Sequence, residues 1–409
     1  MTEHRSEMWK ELKEEVLEAL NFLEEVTDER VLEVIDQVLK TSRLRHRISL
    51  DMRCALRLEL FYSIRKLDVL ERLLEDETIT EIMINGENGI FLEREGAIEA
   101  FSEEKISKER LEELVVRITG MSNRMINEAS PLTDARLGDG SRAHVAVFPV
   151  ALEGPVITIR KFPKRAITLE DLLEKESLNA EVADFLQRVV RAKYNIFVSG
   201  ATGSGKTTLL NVLSDFIPKN ERIITIEDTA ELQIRNVPNL VRLEARNAVV
   251  EGCREISIRD LLRASLRMRP DRLVIGEVRG AESVDMIQAM NTGHSGSMST
   301  AHSNSARDML YRLETMILMG MDIPALAVRR QLASGIDLMI HLGRLRDKRR
   351  VILEISEIDG CVDGEIVLNP IYSFQEDGLD KNGKVLGEWV RVGNLHHKEK
   401  LQMAGLDDD

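Results

Sequence analysis

The sequence has few aromatic residues, few cysteines and no long apolar run, and each shortage argues against a class of protein. Aromatic residues make up 4% of the 409 residues, too few for the base-stacking surfaces of single-strand nucleic-acid binders. Cys54, Cys253 and Cys361 lie far apart without a CxxC pair, which favours reduced thiols in a cytosolic protein over disulfides or a zinc knuckle. No apolar run approaches the roughly 18–20 residues that span a bilayer. The densely charged residues 1–15 are not expected to form a signal peptide.

Positive charge is outweighed by negative charge, because 56 Lys and Arg stand against 70 Asp and Glu and give a formal net charge of −14. A chain this acidic is a poor general ligand for the phosphate backbone of nucleic acid. We therefore expect no nucleic-acid partner, a cytoplasmic location, and peripheral contact with a membrane only through partner proteins.

Apolar periodicity divides the chain into four segments. Residues 1–75 predict an N-terminal helical domain, and the pattern leaves open whether it is a simple bundle or a docking module for a partner. Residues 76–165 predict a compact α+β domain. Residues 166–374 predict an α/β domain with a largely parallel, doubly wound sheet, because short apolar strands alternate with helices. Residues 375–409 are predicted to be a polar C-terminal tail, because the chain becomes polar and glycine-rich there, and residues 407–409 at its close are expected to be frayed.

Local signals predict several element boundaries. The segment 82–93 has β-rich flanks around Asn-Gly pairs and predicts a hairpin. Ser107 is placed to cap a helix that ends near Gly120. Thr168 begins a capping box that opens the first helix of the α/β domain.

The strongest motif is a complete phosphate-binding loop of the Walker A type, GxxxxGK[ST], between an apolar strand and a helix. Its backbone N–H groups can face phosphate oxygens at a helix N-terminus. Lys206 supplies a charge for the β- and γ-phosphates, and the Thr207 hydroxyl can ligate Mg²⁺. The motif therefore predicts ATP and Mg²⁺ as cofactors, in preference to a merely flexible loop. The loop and the residue after it are Gly200, Ala201, Thr202, Gly203, Ser204, Gly205, Lys206, Thr207 and Thr208.

Hydrolysis needs acidic side chains beside this loop. Glu227 and Asp228 follow one short apolar strand, and Glu277 follows another, which places all three at the carboxyl ends of strands where doubly wound sheets bind ligands. One carboxylate would organise Mg²⁺, a role to which Asp228 is suited, and another would orient or deprotonate the attacking water. Sequence alone leaves open which of Glu277 and Glu227 is the base, and a solvated acid at a strand end is the alternative for each.

Two further groups of residues are candidates for contact with phosphate. His294 and His302 lie in a loop rich in small polar residues, where they could sense phosphate, hold a metal or serve structure alone. Arg136 and Arg142 flank a glycine-rich turn suited to anion recognition. The remaining arginines, at 259, 263 and 267 and in the basic run 344–350, are interpreted as solvent-facing.

These motifs together resemble the secretion ATPases that power type II secretion, type IV secretion and type IV pili. The Walker A loop at Gly200, an Asp box at 226–229, a Walker B at 276–279 and a His box at 293–302 occur in that family's order. The arginine-bearing segments 134–142 and 158–162 are similar to those of the Tad/Flp-pilus branch, the CpaF/TadA-like ATPases.

The resemblance implies a homo-hexameric ring in which an α+β domain sits over a RecA-like P-loop domain, with inner-membrane platform proteins as partners. It implies that Glu277 is the catalytic Walker B glutamate, that His302 is the His-box histidine, and that Arg136 and Arg142 approach the phosphates. The four-cysteine zinc motif of the pilus-extension branch is missing from the sequence.

The expected function is ATP hydrolysis that drives pilin or protein export by a Tad/Flp-type motor. One alternative is a type IV secretion traffic ATPase, which is the same chemistry with another client. A second is a nucleotide-gated assembly scaffold with little turnover. A DNA translocase is disfavoured by the net charge of −14.

Overall fold

The chain forms two compact units, Met1–Lys164 and Arg165–Asp409. The computed structural model describes residues 3–21, 26–94, 96–102, 106–122, 125–162, 165–246 and 254–406. Cys54 and Cys361 are free thiols, whereas Cys253 lies outside the described residues. Within these ranges, no helix combines the length and the apolar character needed to cross a membrane.

The first unit contains five α-helices and a six-stranded antiparallel sheet. Its helices are α1 (Glu3–Leu20), α2 (Asp28–Thr41), α3 (Leu50–Arg65), α4 (Val69–Glu75) and α5 (Lys108–Met121). Its strands are β1 (Ile79–Asn85), β2 (Ile90–Arg94), β3 (Ala97–Phe101), β4 (Leu132–Arg136), β5 (Arg142–Ala146) and β6 (Val156–Arg160). The strand order is β3-β2-β1-β6-β5-β4.

The helical prediction for the N-terminal segment is confirmed by α1 to α4. Leu12, Ile35 and Leu60, from α1, α2 and α3, are completely buried in one shared core, as expected for a bundle of amphipathic helices. The predicted hairpin is the antiparallel pair β1–β2. Ser107 caps α5 by accepting a hydrogen bond from the backbone of Arg110.

The second unit alternates strands and helices and then ends in antiparallel strands. Its helices are α6 (Leu169–Glu174), α7 (Ala180–Arg191), α8 (Lys206–Asp215), α9 (Ile258–Ser265), α10 (Glu282–Asn291), α11 (Ala306–Gly320), α12 (Ala325–Gly335) and α13 (Glu399–Met403). Its strands are β7 (Ile196–Gly200), β8 (Ile223–Glu227), β9 (Leu240–Glu244), β10 (Arg272–Ile275), β11 (Met298–His302), β12 (Leu338–Arg344), β13 (Arg350–Val362), β14 (Glu365–Leu379) and β15 (Val385–Arg391). The predicted capping box at Thr168 opens α6.

Nine strands form the sheet of this unit, in the order β15-β14-β13-β12-β7-β11-β10-β8-β9. The run from β12 to β9 is parallel, and β13, β14 and β15 extend it with antiparallel pairs. Alternate residues of β7 enter separate cores on the two faces: Ile196 and Val198 pack on one side and Phe197 on the other. The fold is therefore α/β with a doubly wound, RecA-like arrangement, as predicted.

Part of the predicted polar C-terminal tail is sheet, whereas residues 407–409, which were expected to fray, lie outside the described residues. β14 continues to Leu379 and β15 pairs with it along its whole length. Trp389 packs edge-on against Phe374 and donates a hydrogen bond to the carbonyl of Ile352 at 2.8 Å. The prediction was wrong for these residues because an edge strand needs only a few apolar anchors while its other side chains stay solvated.

Candidate nucleotide-binding site

The phosphate-binding loop joins β7 to α8, as the motif predicts. Gly205 caps α8 with a left-handed backbone at φ 95°, a conformation that glycine adopts without strain. Gly200 is needed for a different reason, since a Cβ atom there would lie 2.5 Å from the carbonyl oxygen of Leu342. Thr207 and Thr208 follow in the first turn of α8, both partly exposed. The loop thus opens at the N-terminus of a helix, where anions are stabilised.

Lys206 is buried, and its ammonium group lies against its own loop. Nζ donates to the carbonyl oxygens of Gly200 at 3.1 Å and Ala201 at 2.9 Å. It also lies 3.0 Å from Nδ1 of His302. These contacts keep the charge at the mouth of the loop, where a phosphate oxygen can replace a carbonyl as its partner.

His302 links the lysine to the predicted catalytic glutamate. Its Nε2 lies 3.1 Å from Oε1 of Glu277, so one ring contacts both groups. The contact arises because β11 lies between β7 and β10 in the sheet, which brings the ends of the three strands together. Burial, followed by the charge of Lys206, lowers the pKa of His302. A neutral ring can accept from Lys206 at Nδ1. Nε2 lies close to Oε1 of Glu277 without a hydrogen bond, since that oxygen is buried without a hydrogen-bond partner among the described residues.

The other oxygen of Glu277 belongs to a second contact, with Arg279. Nη2 of Arg279 lies 3.1 Å from Oε2 of Glu277, and Nη1 lies 3.7 Å from Oδ2 of Asp228. Asp228 is exposed at the end of β8. Lys206, His302, Glu277, Arg279 and Asp228 therefore form a continuous chain of ionisable groups along the edge of the sheet.

Glu227 is placed differently. It is 2% exposed, and its Oε1 accepts the backbone N–H groups of Glu231 and Leu232, each at 2.8 Å. Burial raises its pKa to about 7, and its Oε2 atom is buried without a hydrogen-bond partner among the described residues. Glu227 thus holds the segment after β8, whereas Glu277 contacts the residue that touches Lys206.

The donor atoms around the loop suit a phosphate and a hard cation. Oγ of Ser204 is buried without a hydrogen-bond partner in the described chain, so the loop contains an unused polar atom at its centre. Thr207 and Asp228 offer hydroxyl and carboxylate oxygens, the ligands that Mg²⁺ prefers. The residues present therefore fit a magnesium–nucleotide complex.

In the first unit, the two predicted arginines are direct partners across a hairpin. Arg136 and Arg142 pair between β4 and β5, and Arg142 pairs in turn with Arg160 on β6. Three guanidinium-bearing positions therefore form one row across neighbouring strands. Guanidinium groups arranged in such a row can contact an anionic ligand.

Sequence reasoning missed three features. Arg160 was not singled out, because its place in the row depends on strand register. Arg350, assigned to solvent with its basic run, donates from Nε to the carbonyl of Gly203 in the phosphate-binding loop at 2.8 Å. Arg259 and Arg263 both bind Asp285, at 2.6 and 2.8 Å, instead of facing solvent alone.

His294 lies apart from the site. It precedes β11 and bonds through Nδ1 to the carbonyl of Ala289 at 3.2 Å, whereas His302 ends the same strand. Of the two histidines that the sequence offered, the structure therefore brings only His302 to the phosphate-binding loop.

Comparison with known proteins gives three consistent likenesses. The model of a protein family described as "Type II/IV secretion system protein" matches residues 64–363. The chain is 33% identical over 294 residues to a putative conjugal transfer protein of Mycobacterium tuberculosis, covering 70% of this chain and 83% of the relative. It is 33% identical over 303 residues to the type IV secretion system protein VirB11 of Brucella suis, covering 68% of this chain and 84% of the relative.

A solved structure adds a likeness of fold. The crystal structure of the pilus retraction motor PilT with bound ADP superposes with a TM-score of 0.52 at 22% identity, covering 83% of this chain and 88% of that chain. This similarity supports the RecA-like assignment made from the sheet order.

Proposed function

The chain belongs to the type II/IV secretion system protein family, and we propose that it is an ATPase of that family, converting ATP and water to ADP and phosphate. The observation that carries the proposal is the contact of one histidine with both the Walker A lysine and a strand-end glutamate. His302 is 3.0 Å from Lys206 and 3.1 Å from Glu277. The lysine that would bind phosphate and the glutamate that would act as the base are thus separated by a single side chain.

In the proposed reaction, the backbone of the loop and Lys206 bind the β- and γ-phosphates. Lys206 exchanges its loop carbonyls for phosphate oxygens as the nucleotide enters. Glu277 orients the attacking water and accepts its proton while the water oxygen bonds to the γ-phosphorus. The bond between that phosphorus and the β–γ bridging oxygen breaks, leaving ADP and inorganic phosphate. His302 keeps Glu277 in position.

Thr207 and Asp228 would hold Mg²⁺, which supplies charge neutralisation for the phosphates when it is bound. Arg136 and Arg142 would stabilise the charge of the transition state, which is a role for guanidinium groups in phosphoryl transfer. Glu227 remains the second candidate for the base. Its contacts with the backbone of residues 231 and 232 favour a positioning role for it.

For the client of the motor, we propose export of pilins or proteins by a Tad/Flp-type pilus machine. The support is the arrangement of arginines in β4, β5 and β6, which carry the segments that resemble that branch. The second candidate is a type IV secretion traffic ATPase, favoured by the likeness to VirB11 and to the conjugal transfer protein. For either client, the active form would be a homo-hexamer at the cytoplasmic face of the membrane, bound there through platform proteins.

Phosphate release by the purified chain tests the enzymatic part of the proposal. Wild-type protein should release phosphate from ATP with Mg²⁺, and Glu277→Gln should bind ATP but release phosphate far more slowly. Nucleotide-dependent assembly without phosphate release would instead identify a scaffold. The client is tested in cells, where Glu277→Gln should abolish surface pili for a Tad/Flp motor and leave pili intact for a conjugation motor.

A further inference from the structure

Two histidines near the C-terminus converge on one carboxylate of β13, outside every residue assigned above. Nδ1 of His396 lies 3.1 Å from Oδ1 of Asp359, and Nε2 of His397 lies 3.3 Å from the same oxygen. We propose that His396, Asp359 and the neighbouring Glu357 bind one divalent transition-metal ion of the zinc class, with His397 beside them. The side chains of His396 and Asp359 are partly exposed, so an ion can reach them from solvent.

A buried glutamate holds the two histidines in place. Glu357 is 1% exposed and lies two residues before Asp359 on β13, so the two carboxylates share a face of the sheet. Its carboxylate accepts the backbone N–H groups of His396 and His397, each at 2.8 Å. Ligand atoms of Glu357, Asp359 and His396 all lie within 4.8 Å of one another. Glu357 therefore fixes the backbone of both histidines beside Asp359 and places a second carboxylate close to their rings.

The spacing matches the requirements of a metal ion. Bonds from zinc to nitrogen and oxygen are about 2.0–2.2 Å long, which places neighbouring ligand atoms about 3.0–3.4 Å apart for octahedral to tetrahedral angles. The 3.1 Å between Nδ1 of His396 and Oδ1 of Asp359 falls in that range. Imidazole with carboxylate selects zinc, nickel or copper over Mg²⁺ or Ca²⁺, which prefer oxygen alone. Water can complete the coordination.

Such an ion would fasten the C-terminal segment to the sheet. Leu395 and Leu401 flank the histidines and are buried in the same core as β7. The hydroxyl of Tyr194 donates to the carbonyl of His397 at 2.5 Å, and Lys400 pairs with Asp337. A metal held by His396 and the carboxylates of β13 would add a bond between that strand and this segment, and binding to the folded form alone would raise the stability of the protein.

The test uses the full chain, stripped with EDTA and kept in excess Mg²⁺ so that carboxylates at the nucleotide site are occupied. Zn²⁺ is titrated by calorimetry, and its effect on thermal unfolding is measured in parallel. Wild type should bind one equivalent and unfold at a higher temperature with Zn²⁺. In His396→Ala/His397→Ala and in Asp359→Asn, affinity should fall at least about tenfold, since loss even of supporting groups costs that much.

His144→Ala is the matched control, because it removes a partly exposed histidine that lies 2.9 Å from a single carboxylate, Asp134. It should bind Zn²⁺ as wild type does. Unfolding without metal checks that each variant is folded, and Asp359→Asn preserves shape if the double variant is unstable. Binding that is equal in all variants, or no binding by wild type, overturns the proposal. So does a thiolate charge-transfer band with Co²⁺, which would assign the ion to cysteine.

Discussion

Nδ1 of His302 lies 3.0 Å from Nζ of Lys206 while Nε2 of the same ring lies 3.1 Å from Oε1 of Glu277. The imidazole ring therefore joins the group that would bind phosphate to the group that would activate water. Any ligand that draws Lys206 away leaves Nδ1 of His302 without that donor while Nε2 still faces Glu277. Nucleotide binding at Lys206 would therefore change the surroundings of the Glu277 carboxylate through the His302 side chain.

Lys206→Ala should lose tight ATP binding, because the charged hydrogen bonds to the phosphates vanish while the loop keeps its glycine-dictated shape. Loss of a charged hydrogen bond costs about 1.5–3 kcal/mol, or roughly 10- to 100-fold in affinity. Titration with a fluorescent ATP analogue measures the change. The exposed Lys219→Ala, just after α8, should bind normally, and near-normal affinity of folded Lys206→Ala would refute the assignment of the loop.

Glu277→Gln should bind ATP with Mg²⁺ and hydrolyse it roughly 10²- to 10⁴-fold more slowly, since the amide keeps the shape of the side chain but cannot accept a proton. Single-turnover phosphate release measures the rate. The exposed Glu388→Gln on β15 serves as control. If Glu277→Gln kept a third of the wild-type rate, the catalytic role would pass to Glu227.

His302→Ala should lower kcat by up to roughly 100-fold, because the ring that lies against Glu277 is lost and a misplaced carboxylate no longer aligns with the attacking water, and it should change KM little. His302→Gln, which can still reach Glu277, should recover part of the rate. Because burial and Lys206 lower the pKa of His302, the ring is neutral at pH 7. Activity should fall only well below pH 6.5, and a rate that falls already near pH 7.5 would contradict a neutral ring.

Glu227→Gln should alter the pH dependence of stability. Burial raises the pKa of Glu227 from 4.5 to about 7, so the unfolded chain releases this proton first and the wild type loses stability as pH rises from about 4.5 to 7. The glutamine cannot ionise, so the variant does not lose this stability as the pH rises. The free energy of unfolding of the variant relative to wild type should therefore increase between pH 4.5 and pH 8 by up to roughly 3 kcal/mol. Urea unfolding at both pH values measures it, and a pH-independent difference would contradict the raised pKa.

Arg142→Ala should bind ATP almost normally and lose most turnover. An arginine that contacts the charge of the transition state accelerates phosphoryl transfer by about 10³- to 10⁵-fold. Arg142→Lys should restore little activity, because lysine lacks the planar guanidinium group of arginine. Mixing Arg142→Ala with Lys206→Ala should restore some activity if the arginine serves a neighbouring subunit, and none if it serves its own. Full activity of Arg142→Ala alone would make it a structural contact of the hairpin.

The features that could be predicted from the sequence are those that short segments of the chain determine. The loop from Gly200 to Thr207, the caps at Ser107 and Thr168 and the β1–β2 hairpin each follow from residues a few positions apart. Glu277 could be placed at a strand end, but its contact with His302 depends on β11 lying between β7 and β10. Arg160 and Arg350 were missed because strand register, which short segments do not determine, brings them to their partners. The edge strand β15 was missed because its solvated side chains resemble those of a tail.

The burial of Leu395 and Leu401 beside β7 has a consequence for synthesis. A ribosome makes the phosphate-binding loop well before Leu395 and Leu401, which complete the core beside the strand that carries it. The catalytic half therefore cannot reach its final packing while the chain is still being extended, and chains cut short near residue 390 should emerge as chaperone clients with exposed apolar surface.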